Sequence, residues 1–163
     1  MKKSIRSVAL LGVCALSLTA CGEVSFADFK TAAETAIKKD VEYKTAKVTG
    51  SITTKSDSGE SKNNIDLSLT VSGRVITSSL TDIKGIAYGA ILSAQIPTLF
   101  TGSENTSYKY YNLGVSYEAK NDDGDTVSYE YKWDSVGMIT KYVGYTTVSG
   151  TKGKINLSIS YSK

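Results

Sequence analysis

The chain has 163 residues, with 19 Lys+Arg against 16 Asp+Glu, two cysteines, one tryptophan, eleven tyrosines and no histidine. Lack of histidine excludes imidazole proton transfer, Ser-His-Asp and Cys-His catalysis and Cys/His zinc sites. Neither G-x-x-x-x-G-K-S/T nor G-x-G-x-x-G occurs, so nucleotide chemistry has no visible support, and no catalytic, metal-ligating or cofactor-holding set is expected.

Lys2, Lys3 and Arg6 open the chain, and Val8 to Leu18 then run apolar and small, in the order of an export signal. That run is too short to span a bilayer, which needs about 20 apolar residues. It ends in Leu18-Thr19-Ala20-Cys21, which resembles the lipobox of bacterial lipoproteins. The resemblance covers residues 1 to 22. It implies a signal peptide over 1–20, cleavage before Cys21, acylation of the Cys21 thiol, and a chain held on the outer side of a cell membrane or outer membrane by covalent lipid. Two or three acyl chains would make such attachment durable, because each buried CH₂ contributes about 0.8 kcal/mol.

Cleavage removes three basic residues and leaves sixteen Lys+Arg against sixteen Asp+Glu, so the apparent basic character vanishes. A near-neutral chain without a Lys/Arg run gives no electrostatic signal for nucleic acid. Cys14 leaves with the signal and Cys21 is taken by lipid, so no disulfide is expected and stability must come from packing. Residues 21–24 read as a short lipidated tether and 25–163 as a single domain, within the usual size range.

Ser25, followed three residues later by Asp28, is a capping signal, and Phe26, Phe29, Ala33, Ala36 and Ile37 recur at helical spacing, predicting an amphipathic helix. Alternation then takes over. Ala46, Val48 and Ile52 share one side of a first segment and Ile65, Leu67, Leu69 and Val71 one side of a second, a hairpin joined by the polar stretch Lys55 to Asn63. Between Thr81 and Phe100, Ile83, Ile86, Ala87, Ala90, Ile91 and Ala94 keep a helical period that Pro97 ends, predicting a second helix over 83–96.

The C-terminal third alternates most plainly. Val115, Tyr117 and Ala119 oppose Ser116, Glu118 and Lys120. Val127, Tyr129, Tyr131 and Trp133 oppose Ser128, Glu130, Lys132 and Asp134, and Ile155, Leu157, Ile159 and Tyr161 oppose Asn156, Ser158 and Ser160. In the segment 138–148, Met138, Tyr142 and Val148 fall on one side and Ile139, Val143 and Tyr145 on the other, a pattern for a strand covered on both faces. Asn121-Asp122-Asp123-Gly124-Asp125 reads as a hairpin turn rather than a calcium loop, since it lacks the alternating ligands and distant Glu of an EF-hand.

These elements predict an α+β fold: a curved antiparallel sheet of six or more strands, an open half-barrel, with two helices on its apolar face. The order helix, strands, helix, strands is similar in architecture to the LolA-like lipoprotein carriers. That similarity implies a hollow holding a lipid or other apolar ligand between sheet and helix, lined by Ile86, Ala90, Ile91, Tyr129, Tyr131 and Trp133, with no enzymatic activity. The alternative is an envelope interaction or adhesion protein that binds a protein or glycan through exposed tyrosines. Eight of the eleven tyrosines fall between Tyr108 and Tyr145, and adjacent Tyr110 and Tyr111 must point to opposite faces, which predicts one ring outside the core.

Overall fold

The computed structural model describes residues 22–77, 91–92 and 107–163. They form one antiparallel sheet of nine strands and one complete helix: β1 (Glu23–Val24), α1 (Phe26–Ile37), β2 (Thr45–Ser56), β3 (Gly59–Ser72), β4 (Val75–Thr77), β5 (Tyr108–Tyr111), β6 (Gly114–Lys120), β7 (Thr126–Trp133), β8 (Ile139–Val148) and β9 (Thr151–Ser162). The strand order is β1-β5-β6-β7-β8-β9-β2-β3-β4, an open sheet. Of the second expected helix, only Ile91 and Leu92 lie among the described residues; both are helical and buried. The two-helix expectation is therefore reduced to one helix, with Ile86, Ala90 and the rest of 83–96 outside the described residues.

Helix α1 begins where the capping signal places it. Ser25 accepts a hydrogen bond from the Asp28 N–H at 3.1 Å, and its hydroxyl donates to the Asp28 carboxylate at 2.7 Å. The reciprocal pair satisfies an N–H left over by the first turn. Phe29, Ala33 and Ala36 are buried, Phe29 completely, so one stripe of the helix faces the sheet. Of the short tether expected over 21–24, Glu23 and Val24 join the sheet: Glu23 pairs with Tyr111 and Val24 with Tyr110.

The inner face of the sheet, toward α1, collects Val48, Ile65, Val115, Trp133, Leu157 and Ile159 into one core with Phe29. Here the period-2 reading of β2, β3, β6, β7 and β9 holds. The β2–β3 hairpin closes more tightly than expected, through Asp57 and Ser58 alone. In β8 the simple alternation fails. Trp133 pairs with Ile139 while Lys132 pairs with Lys141, a bulge that absorbs Thr140 and turns Ile139 to the inner face beside Trp133. Val143 and Glu130, paired across the outer face, are buried there, so this part of the sheet is covered on both sides as the sequence suggested.

The two ends of the sheet differ. The β3–β4 and β7–β8 turns share one end, and in a flat sheet four strand spacings would hold them about 19 Å apart. Yet the Arg74 guanidinium, from the β3–β4 turn, donates to the Val136 carbonyl in the β7–β8 turn. It also donates to the carbonyls of Ile37 at 2.8 Å and Lys39 at 2.6 Å. An arginine side chain cannot cover that flat distance, so the sheet curls at this end and Arg74 joins its two limbs across the end of α1. The last turn of α1 carries no basic residue of its own, and Arg74 supplies donors and positive charge to carbonyls that the helix leaves unpaired. Tyr43 stacks on Tyr161 at 4.7 Å and donates to Asp134 at 2.8 Å, while Tyr161 donates to the Ile139 carbonyl at 2.6 Å. This is the closed end.

At the sheet's middle, Gly50 of β2 lies so close to β9 that a Cβ there would stand 1.9 Å from the Asn156 carbonyl oxygen. Only glycine allows that approach.

Candidate functional site

An aromatic array runs across the inner face from β5 to β8. Tyr110 meets Phe26 and Phe29 at 5.1 and 5.3 Å, Tyr108 meets Tyr117 at 5.0 Å, and Tyr117 stacks on Tyr129 at 4.9 Å. Tyr131 contacts Tyr129 at 5.5 Å, Trp133 at 5.7 Å and Tyr142 at 4.8 Å. The hydroxyls of Tyr108 and Tyr129 share a hydrogen bond of 2.7 Å. Three of the expected lining residues thus belong to one array. Trp133, only 2% exposed, is sealed against Phe29 and Tyr131, whereas Tyr129 and Tyr131 are half-buried. Ile91 is buried in the same core.

Beyond the array, toward the turns β2–β3, β6–β7 and β8–β9, the inner face opens. A hollow of about 210 Å³ is lined by Ile52, Thr54, Val127, Tyr142, Thr146 and Ile155 over a floor at Gly144 and Gly153. A second, of about 350 Å³, adjoins it through Val127 and Thr146 and extends over Ala119 to Val148. Both are within or near the lower range for small-molecule sites. The floor exists because two inward positions carry no side chain: Gly144 pairs with Ile155, and Gly153 with Thr146. The Tyr142 hydroxyl and the Thr146 Oγ1 lean over them, 2.6 and 2.7 Å from where a Cβ would stand. Val127 and Val148 are 39% and 53% exposed, so apolar surface continues to the rim. This is the open end.

The chemistry of these groups is passive. Burial pushes the Tyr142 phenol up, and burial followed by neighbouring phenols pushes Tyr129 and Tyr131 well up, so all three stay neutral hydroxyls at ordinary pH. Lys154 borders the hollow only along its backbone row, since its ammonium lies over the Tyr145 ring on the outer face, 5.2 Å from the centroid. Among the described residues no three His, Cys, Asp or Glu side chains gather as a metal site. In the acidic turn, Asn121 Oδ1 accepts from the Asp125 N–H at 2.8 Å, and Asp125 accepts from the Ser149 N–H at 2.9 Å, so its oxygens hold two turns together.

The sequence missed the lining residues Ile52, Val127, Tyr142, Gly144, Thr146, Gly153 and Ile155 as a set. The available signal was the pair of glycines inside otherwise alternating strands, a mark of close backbone approach. Tyr110 and Tyr111 do point to opposite faces, and Tyr111 lies outside the core that holds Tyr110, but the exposure expected of that ring is overturned: both are 4% exposed, because the outer face of β5 is also covered. The large apolar side chains exposed among the described residues are valines, Val75, Val127 and Val148, which leaves no exposed aromatic patch there for the adhesion reading. Cys21 lies outside the described residues, directly before Gly22. No helix among the described residues is long and apolar enough to cross a membrane. No family model, curated protein or solved structure matches the chain.

Proposed function

We propose that the chain is a lipid-anchored envelope protein, processed before Cys21, which holds an apolar molecule on the inner face of a half-barrel sheet and performs no catalysis. The observation that carries the reading is a pair of adjoining apolar hollows, one over Gly144 and Gly153 and the other meeting it at Val127 and Thr146, where exposed Val127 and Val148 continue the surface. The site differs from the array expected from the sequence: Trp133 supports it from within the core, and Tyr142 links the two. Binding is by burial. At about 25 cal/mol per Å², each 100 Å² of ligand surface removed from water contributes roughly 2.5 kcal/mol, without a reactive group.

Orientation follows from β1. Because Glu23 and Val24 are already paired with β5, acyl chains on Cys21 would hold the first edge of the sheet two residues from the bilayer, at the end opposite the hollows. The ligand site would then face away from the membrane. The test is extraction and mass spectrometry of the protein purified from a bacterial host, beside the Val127→Trp variant. A co-purified apolar molecule that falls at least tenfold in V127W, with the melting temperature kept, supports the reading; no bound molecule in either protein removes it. For the anchor, Cys21→Ser should leave an unprocessed precursor that takes up no labelled palmitate.

A further inference from the structure

The outer face of the sheet carries a charge pattern that is invisible along the chain. Lys55 of β2 and Lys152 of β9 stand directly opposite each other in the β2–β9 register. Lys154, two residues on, shares their side and pairs with Thr53, which pairs in turn with Lys62 of β3. The placement on the outer face is fixed by Lys154 over Tyr145 and by Gly153 and Ile155 on the inner one. All four lysines are exposed; Glu60 stands directly opposite Lys55, and Glu118 lies three strands along the row of Lys154. Among the described residues no ion pair includes Lys55, Lys62, Lys152 or Lys154.

Elsewhere on the same face two lysines are matched, one of them Lys141, which stands directly opposite Lys132. Lys47 meets Asp66 at 3.4 Å and Lys141 meets Glu130 at 3.6 Å. Like charges directly opposite in a sheet are unfavourable, so a merely solvated face has no reason to gather four at one end. An anionic partner removes the repulsion. We propose that this patch binds an acidic glycan, a linear polymer of carboxylated, sulfated or phosphorylated sugars laid across β9, β2 and β3.

The surroundings distinguish this partner from other polyanions. A face that lies on a bilayer mixes lysine with exposed apolar side chains; here the intervening outward positions are Thr53 and Asn156, with the half-exposed ring of Tyr145 beside Lys154. Those hydroxyl, amide and ring groups suit sugar hydroxyls and sugar faces. Nucleic-acid surfaces favour arginine forks, whereas Arg74 is occupied at the closed end. The patch is on the opposite face from the hollows, so it stands or falls independently of the apolar-ligand reading.

The test is equilibrium binding of the full chain to polygalacturonate, with neutral dextran, single-stranded DNA and phosphatidylglycerol vesicles alongside, at low and at high salt. Polygalacturonate should bind, weaken as salt screens the lysines, and weaken at least tenfold in the combined variant K55Q/K62Q/K152Q/K154Q. The melting temperature should hold or rise, because facing charges are gone. Lys47→Gln, outside the patch, should bind as the parent does. Absence of binding, equal binding of dextran, a preference for DNA or vesicles, or full affinity in the combined variant each overturns the proposal. Should the combined variant fail to fold, Lys152→Gln alone decides: unchanged affinity rejects the patch and a clear loss supports it.

Discussion

The closed and open ends of one sheet are built from the same strands and solve opposite problems. At the closed end, Arg74, Tyr43 and Tyr161 spend their polar groups on backbone carbonyls and on Asp134, and Trp133 is packed between Phe29 and Tyr131. At the open end, β8 and β9 continue with glycine at inward positions, and valine is left in water. The comparison teaches that stability and available surface need not be spread evenly over a sheet. Concentrating long-range contacts at one end leaves the other free of packing duties.

That contrast can be broken by mutation. The largest effect belongs to Trp133→Ala, which removes the ring at the centre of the closed end and should cost about 3 to 5 kcal/mol in chemical denaturation. Retention of the parent's stability would mean that the closed end does not hold the fold. Next is Arg74→Ala, which leaves the carbonyls of Ile37, Lys39 and Val136 without this donor and should cost about 2 kcal/mol. Arg74→Lys should recover only part of this, since a single ammonium cannot reach carbonyls in α1 and in the β7–β8 turn together.

Tyr161→Phe should cost about 1 kcal/mol, the usual worth of one hydrogen bond, and it also sharpens a pH dependence. Burial, then the nearby Asp134 and Tyr43, push the Tyr161 phenol well up, and Tyr129, Tyr131 and Tyr142 are raised chiefly by burial. A phenol that is harder to ionise in the folded chain has no effect while both states keep the proton. Once the unfolded chain begins to lose protons near pH 10, the folded state, which keeps them, loses stability as pH rises. Melting temperature should therefore be flat from pH 8 to about 9.5 and fall above it, less steeply in Y161F. A flat profile to pH 11 would contradict the buried-phenol account. Smallest is Val148→Ser at the rim, expected within about 0.5 kcal/mol of the parent. A larger loss would show that the open end carries stability too.

What the sequence revealed was the part of the fold that repeats every two residues. Val48, Ile65, Trp133 and Leu157 face inward as their alternation requires, and Ser25 with Asp28 starts α1 where it should. The features it hid depend on register between distant segments. Nothing local to Ile139 says that Thr140 will bulge. Nothing near Arg74 points to the end of a helix some 35 residues earlier. The lysine patch joins residues about a hundred positions apart, and the near-neutral charge balance averaged it away. The hollow was half legible, because Gly144 and Gly153 interrupt their strands, but only the pairing of β8 with β9 sets those gaps side by side.

The chain's one tryptophan sits on the stable side of this division, almost parallel to Tyr131 at 12° and away from solvent. Its emission is accordingly a local gauge: it registers melting of the buried half, and stays unaltered by whatever enters at the far rim. A fluorophore intended to watch ligand capture must be put in at the rim, at Val148, and the two colours read together would separate loading from unfolding in a single titration.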